Sequence, residues 1–218
     1  MKNRSKKIFI IDIGSHQMEE LNLLFKPSLH QLLLLLKWSI KQFISFLGSK
    51  DLPRLRRCIS TIKLFFKSRK NLANENIFVA SIEPNFSVSR RQIKKWKKIT
   101  NFSFYPLAIL GHDSDESIKL IDLNLYKNTI ASSIYNKKGL KVVSKNSSIG
   151  ISFDIFIDLL INKYKILSTD EIILRINCEG SELAIVETII EKKLNISMII
   201  GSLSDVQKIH GPIYYKKM

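Results

Sequence analysis

Short runs of apolar residues recur along the chain, and each run ends at polar or turn-forming residues. Runs of this kind are typical of strands that are buried on both faces, as in parallel sheets. They predict five core strands, at residues 6–14, 76–85, 101–110, 171–178 and 196–203. An alternating stretch predicts a further strand or hairpin at 117–126, and the polar residues that follow predict a loop at 127–150.

Apolar residues spaced three and four positions apart occur between these strands, and this spacing is typical of helices. It predicts helices at residues 28–47, 53–70, 88–98, 151–164 and 181–194, with a final helical turn at 204–211. Strands that alternate with helices indicate an α/β fold with a mainly parallel sheet. We therefore predict a single domain over residues 1–218, in which 27–75 form a basic two-helix insertion.

The charge of the chain is positive and unevenly distributed. The net charge is +16, and residues 1–110 carry 21 Lys and Arg against 6 Asp and Glu, while residues 111–218 carry 14 against 13. Such asymmetry favours a polyanionic partner, either nucleic acid or an anionic membrane surface. A general compositional bias towards Lys, Ile and Asn explains the same charge without any partner.

The helices predicted within residues 28–70 have apolar faces and basic polar faces. Their charged positions disfavour a membrane-spanning helix. We expect them to cap the sheet or the substrate cleft, since most amphipathic helices face their own core. The alternative is that residues 28–70 lie on an anionic membrane surface, with Lys and Arg at the headgroups.

Cysteine and histidine spacing excludes two classes of site. Cys58 and Cys178 form neither a disulfide framework nor a zinc motif, and the four histidines show no metal-ligand spacing, so we predict no metal site. The first apolar run is interrupted at Asp12 and is too short for a signal peptide. We expect a cytoplasmic protein, with attachment to the inner face of a membrane as the alternative.

Polar residues follow three of the predicted core strands, where ligands bind in open α/β sheets. They lie at 12–16, at 83–85 and at 177–182. Gly14 would let the backbone approach a ligand closely, and a carboxylate such as Glu83 can accept hydrogen bonds from ribose hydroxyls. Each group also has a purely structural explanation, as a turn or as the negatively charged start of a helix.

Three of these segments resemble the FkbM-type methyltransferases, which are class I S-adenosylmethionine-dependent enzymes. The matching stretches are IIDIGS at 10–15, SIEPN at 81–85 and ILRINCEGSEL at 173–183. The resemblance covers about residues 8–26 and 76–203. It implies a Rossmann-like fold, mainly parallel, with helices on both faces of the sheet. From this pattern the chain is expected to depart by a helical insertion after the first strand and by closing strands that are shortened or absent.

The resemblance also implies an activity, which is O-methylation of a sugar hydroxyl on a glycan, glycolipid or related metabolite. The implied cofactor is S-adenosylmethionine, and the implied cofactor-binding residues are Asp12, Gly14, Ser15, His16, Glu83 and Asn85. The implied catalytic residues, on the acceptor side, are Asn177, Glu179 and Glu182. An alcohol acceptor has to lose a proton, and the candidate general bases are Glu179, Glu182 and His16, of which we favour Glu179.

Two further hypotheses stay open. This chain has Met18 where the family usually has a glycine, and Asn177 where it has an aspartate. Together with the fifteen residues that follow the fifth predicted strand, these departures favour a catalytically inactive, methyltransferase-like binding or assembly protein. A basic nucleic-acid-associated protein ranks third, because nothing beyond charge indicates nucleic-acid recognition.

Overall fold

A computed structural model gives the structure of the chain, and it describes residues 6–15, 37, 59, 76–96, 101–111, 116–126, 132–133, 142–178 and 180–201. The chain divides into two compact units, residues 1–17 with 78–218, and residues 18–77. Within the predicted insertion, the described residues Lys37 and Ile59 are helical and exposed. The rest of the helices predicted at 28–47 and 53–70, and the turn predicted at 204–211, lie outside the described residues.

Apart from the helical residues Lys37 and Ile59, the described part of the chain contains two sheets and three helices. The strands are β1 (Ile8–Ile13), β2 (Ile77–Ile82), β3 (Phe102–Tyr105), β4 (Leu107–Leu110), β5 (Ile118–Tyr126), β6 (Ser132–Ser133), β7 (Val142–Ser152), β8 (Glu171–Ile176) and β9 (Ile196–Gly201). The helices are α1 (Phe86–Trp96), α2 (Phe153–Tyr164) and α3 (Glu182–Glu191). The predicted α/β class is thereby confirmed, and no helix of the described residues is long and apolar enough to cross a membrane.

The first sheet has five strands in the order β3-β2-β1-β8-β9. The pairs β2–β3, β1–β8 and β8–β9 are parallel. The chain builds outwards from β1 in one direction through β2 and β3, and later in the other direction through β8 and β9. The strand order therefore reverses beside β1, which is the position where open α/β sheets bind ligands.

The apolar runs form strands because both faces of the central strands are buried. One face packs against α2 and α3 in a single core cluster that contains Phe9, Ile11, Ile13, Ala80, Ile82, Ile172, Leu174, Ile176, Phe153, Phe156, Ile157, Leu160 and Ile185. The alternate residues Ile10, Val79 and Ile173 point to the opposite face and are also buried. Burial on both faces removes the alternation of polar and apolar residues, as expected for a parallel sheet.

The second sheet corrects two predictions. The strand predicted at 101–110 is divided at Pro106 between β3 in the first sheet and β4 in the second, because proline lacks the backbone N–H that a continuous ladder needs. The loop predicted at 127–150 is wrong at the positions that the structure describes, 132–133 and 142–150, because these residues form β6 and β7, and β7 pairs along most of its length with β5 in an antiparallel ladder. Residues 144–147 of β7 are exposed, and this exposure explains why a strand has the polar sequence from which a loop was predicted.

Helix α2 begins at Phe153 rather than at residue 151, because Ile151 and Ser152 still belong to β7. Ser152 is the N-cap, with extended backbone angles, and its side chain accepts a hydrogen bond from the Ile155 N–H at 3.5 Å. We expect Ser152→Ala to lower the free energy of unfolding by about 1 kcal/mol, because an unsatisfied helical N–H remains. Urea denaturation beside Ser147→Ala, an exposed serine of β7, tests this expectation, and equal losses in both variants would contradict it.

Candidate functional site

A buried ion pair lies at the carboxyl end of β1. Asp12 and Arg175 occupy paired positions on the neighbouring strands β1 and β8. The Arg175 Nη1 donates to Asp12 Oδ1 at 2.7 Å, and the two residues are 9% and 0% exposed. Desolvating two charges is unfavourable unless they are paired at close distance, as they are here. The Asp12 carboxylate therefore has a structural role at the carboxyl ends of β1 and β8.

The loop after β1 is attached to both neighbouring strands. Arg175 Nη1 also donates to the Gly14 carbonyl at 3.0 Å, and the Gly14 N–H donates to the Ile82 carbonyl of β2 at 2.9 Å. Gly14 has a φ of +71°, and a Cβ at this position would overlap the carbonyl oxygen of Asn177. Only glycine has both the conformation and the absence of a side chain that this contact requires.

Ser15 brings the end of β1 close to the end of β2. Its N–H donates to the same Ile82 carbonyl at 3.1 Å. The Ser15 side chain is fully buried, and its hydroxyl has no hydrogen-bond partner among the described residues. A buried hydroxyl without a partner is uncommon in folded proteins and is a group that a ligand or an ordered water can satisfy.

Glu83 and Asn85 form a turn directly after β2. Glu83 is 2% exposed, and its Oε1 accepts a hydrogen bond from the Asn85 N–H at 2.9 Å. The Asn85 side-chain oxygen accepts from the Ser87 hydroxyl at 2.6 Å, and the Glu83 N–H donates to the Tyr105 carbonyl at 3.2 Å. These bonds fix a carboxylate at the end of the second strand, where a ribose-binding acid is expected in dinucleotide-type sites.

The end of β8 presents an exposed amide. The Asn177 N–H donates to the Ile13 carbonyl at 2.9 Å, while the residue is exposed. Cys178 follows and is partly buried. Desolvation, together with the negative charge of Glu182, raises the pKa of the Cys178 thiol well above its usual value. Cys178 is therefore a protonated, weakly reactive group at neutral pH.

Glu182 belongs to the start of α3 and is almost fully buried. Its Oε2 accepts from the Gly180 N–H at 2.7 Å, and Gly180 has a φ of +98°. The adjacent Ser181 donates its hydroxyl to the Ile109 carbonyl at 2.6 Å, which links this turn to β4. The side chains of Ser181 and Glu182 therefore help to fix the turn between β8 and α3. The Glu182 carboxylate is also favourable electrostatically, because it lies at the N-terminus of a helix.

The structure brings most of the predicted site residues to one edge of the sheet. Asp12, Gly14, Ser15, Glu83, Asn85, Asn177 and Glu182 all lie at or just beyond the carboxyl ends of β1, β2 and β8. Glu179 and His16 lie outside the described residues, as does Met18. Among the residues that the structure does describe, no group of three or more His, Cys, Asp or Glu is arranged to hold a metal ion.

The sequence-based prediction missed Arg175, which connects Asp12 to Gly14. The available signal was a charged side chain inside the apolar segment 172–176, where burial demands an acidic partner. Asp12 is such an acid, inside the first apolar run. The pairing becomes evident only when β1 and β8 are known to be neighbours, because 163 positions separate the two residues.

Comparisons of the chain with protein-family models, with curated proteins and with solved structures find no match. The strand order and the residues at the strand ends are the observations from which a function can be argued.

Proposed function

We propose that this protein is an S-adenosylmethionine-dependent methyltransferase that transfers a methyl group to a sugar hydroxyl on a glycan, glycolipid or related metabolite. The observation that supports this proposal most strongly is the convergence of Gly14, Glu83 and Asn177 where the strand order reverses. The resemblance of the same three segments to FkbM-type methyltransferases supports the choice of cofactor and acceptor. Many enzyme classes share this strand order, so the strand order alone does not support the proposed activity.

The residues at this edge fit the cofactor in two respects. Ser15 offers a buried hydroxyl without a partner among the described residues, which suits a polar group of the methionine part. Glu83 offers a carboxylate for the ribose hydroxyls, close to the turn at Asn85. Asp12 acts indirectly, because its carboxylate holds Arg175, and Arg175 in turn holds the Gly14 carbonyl.

When it is bound, S-adenosylmethionine supplies a methyl group on a positively charged sulfur. The contribution of the protein is to hold the acceptor hydroxyl in line with that methyl group, and positioning of this kind lowers the barrier substantially. The exposed amide of Asn177 can hydrogen-bond an acceptor hydroxyl but cannot remove its proton. We assign proton removal to Glu179, because Glu182 is buried and accepts a hydrogen bond from Gly180.

Calorimetric titration with S-adenosylhomocysteine tests the proposal directly. We expect binding by the wild type, and Glu83→Gln to weaken it by about 10- to 100-fold, because a neutral amide replaces a charged acceptor of hydrogen bonds. The Glu83→Gln change keeps the size of the side chain and an oxygen for the Asn85 N–H. Glu191→Gln, an exposed position at the end of α3, is the matched control for the change in charge. Absence of wild-type binding, or equal affinity in both variants, would refute the proposed cofactor site.

A second candidate is a catalytically inactive, methyltransferase-like binding protein. The observation that favours it is that the three buried carboxylates that the structure describes at this edge already have internal partners. Asp12 is bound by Arg175, Glu83 by the Asn85 N–H, and Glu182 by the Gly180 N–H. These contacts stabilise the edge without any ligand. The same titration separates the two candidates, because an inactive relative that has lost the cofactor shows no heat of binding.

A further inference from the structure

Four polar side chains form a cluster on the side of the first sheet that packs against α2. This Tyr–Lys cluster consists of Ser103 and Tyr105 of β3 and of Lys163 and Tyr164 at the end of α2. The Lys163 Nζ donates to the Tyr105 hydroxyl at 3.1 Å, and the two tyrosine hydroxyls are 3.3 Å apart. The Tyr164 hydroxyl lies 2.5 Å from the Ser103 hydroxyl. One continuous hydrogen-bonded chain therefore connects an ammonium group to three hydroxyls.

Aromatic contacts hold the two phenols in place. The Tyr164 ring packs against Phe9 and Phe78, with centroids 5.9 and 5.7 Å away, and the Tyr105 ring meets Phe156 edge-on at 5.3 Å. The Lys163 Nζ lies 5.2 and 5.1 Å from the centroids of the Tyr105 and Tyr164 rings. The hydroxyls are thus carried by packed side chains on a strand and a helix, which is a preorganised arrangement.

The cluster has more hydrogen-bond donors than it uses. Lys163 can only donate, and the two hydrogen bonds among the three hydroxyls use two of their three protons, so one hydroxyl proton and two ammonium protons remain available. Among the described residues, no carboxylate forms a salt bridge with Lys163. The Ile161 carbonyl near the end of α2 already accepts from the N–H groups of Lys165 and Ile166. The complementary ligand is therefore an anion with several oxygens that accept hydrogen bonds.

Solvent reaches this cluster, and its side chains are not among those of the candidate methyl-transfer site, which Tyr105 joins only through its backbone carbonyl, the acceptor of the Glu83 N–H. Lys163 is exposed, while Ser103, Tyr105 and Tyr164 are partly exposed. Phe9 and Phe78, which contact Tyr164, are the second residues of β1 and β2, so Tyr164 lies towards the amino ends of these strands. The residues proposed to bind the cofactor lie at their carboxyl ends.

We propose that the Tyr–Lys cluster binds a phosphate group, with Lys163 as its cationic contact and, as its neutral donor, the one hydroxyl proton that the bonds among Tyr105, Tyr164 and Ser103 leave available. Such a group is carried by inorganic phosphate, by a sugar phosphate or by an anionic lipid headgroup. A positively charged chain, at +16, favours the approach of any of them. Charge-assisted hydrogen bonds to the phosphate oxygens then provide the local affinity.

The ionisation of Tyr164 offers a spectroscopic readout of binding. Burial acts to raise the pKa of Tyr164, but the hydrogen bonds with Ser103 and Tyr105 and the charge of Lys163 lower this pKa below its ordinary value. Burial and the hydrogen bond with Tyr164 raise the pKa of Tyr105. A bound phosphate would disfavour the phenolate, so it should move the Tyr164 titration upwards in pH. Phosphate adsorbed elsewhere on the surface would leave this titration in place.

The test is a calorimetric titration of the full chain with inorganic phosphate and with glucose 6-phosphate, beside a tyrosine titration followed by ultraviolet absorbance. We expect binding by the wild type, about tenfold weaker binding by Lys163→Gln, and a weaker effect of phosphate on tyrosine ionisation in Tyr105→Phe. Lys145→Gln, an exposed lysine of β7 that lies 3.9 Å from Asp122, is the control with the same loss of charge.

Vesicles of phosphatidylcholine with and without phosphatidic acid distinguish the sources of the phosphate group. Sedimentation that requires phosphatidic acid and is lost in Lys163→Gln supports a lipid headgroup, and binding in solution supports a soluble phosphate ester. No binding to any of these probes overturns the proposal. Equal losses in Lys163→Gln and Lys145→Gln also overturn it, because they indicate general attraction to a basic surface. None of these outcomes depends on S-adenosylhomocysteine binding.

Discussion

Replacing Arg175 with methionine is expected to lower the free energy of unfolding by about 3–5 kcal/mol, because the change leaves the buried Asp12 carboxylate without its cation. The loss includes the hydrogen bond to the Gly14 carbonyl, so the loop after β1 loses one of its attachments as well. Urea denaturation, monitored by circular dichroism and fluorescence, measures the change. Asp12→Asn is expected to be less severe, since the amide oxygen can still accept a hydrogen bond from Arg175.

The double variant Asp12→Leu with Arg175→Met separates the two contributions to this loss. Removing both charges eliminates the buried carboxylate that loses its ion pair with Arg175 in the single variant, and apolar replacements of buried ion pairs are often neutral or stabilising. We expect the double variant to regain most of the stability that Arg175→Met loses. If the double variant is as unstable as the sum of the single changes, packing rather than charge explains the effect.

The central strands of the first sheet were predictable because their uninterrupted apolar runs indicate burial on both faces of the sheet. Residues 8–13 and 172–176 contain few polar positions, and those that occur, Asp12 and Arg175, pair with each other. The β7 strand was not predictable in the same way. Its stability comes from ladder hydrogen bonds to β5, and exposed residues such as Ser144 to Ser147 give no apolar signal.

The candidate site was partly predictable for a related reason. Polar residues directly after buried strands indicated which positions reach the carboxyl edge, and Gly14, Glu83 and Asn177 are found there. The internal partners of these residues were not visible in the sequence. The bond from Arg175 to the Gly14 carbonyl depends on strand order, and the contact between Gly14 and Asn177 depends on how closely two strand ends approach.

Gly14→Ala is expected to lower the free energy of unfolding by about 3 kcal/mol or more, for two reasons that act together. The residue has a φ of +71°, where alanine is strained. The new Cβ would also overlap the Asn177 carbonyl oxygen, and it would lie 2.7 Å from the carbonyl carbon and 3.1 Å from the Cys178 nitrogen. These are backbone atoms at the end of β8, so they cannot move aside by rotating a side chain.

Gly150→Ala is the matched control for Gly14→Ala. A Cβ at Gly150 meets the side chains of Leu110 and Ile121, which can adjust, and Gly150 is not in the left-handed region. We expect a smaller loss of stability there, and unaltered binding of S-adenosylhomocysteine. Gly14→Ala should weaken that binding as well, since relief of the overlap separates Ser15 from Asn177 across the proposed cleft. Equal stability in the two variants would show that the β1 loop and the end of β8 are free to separate, and that close approach at Gly14 does not organise this edge.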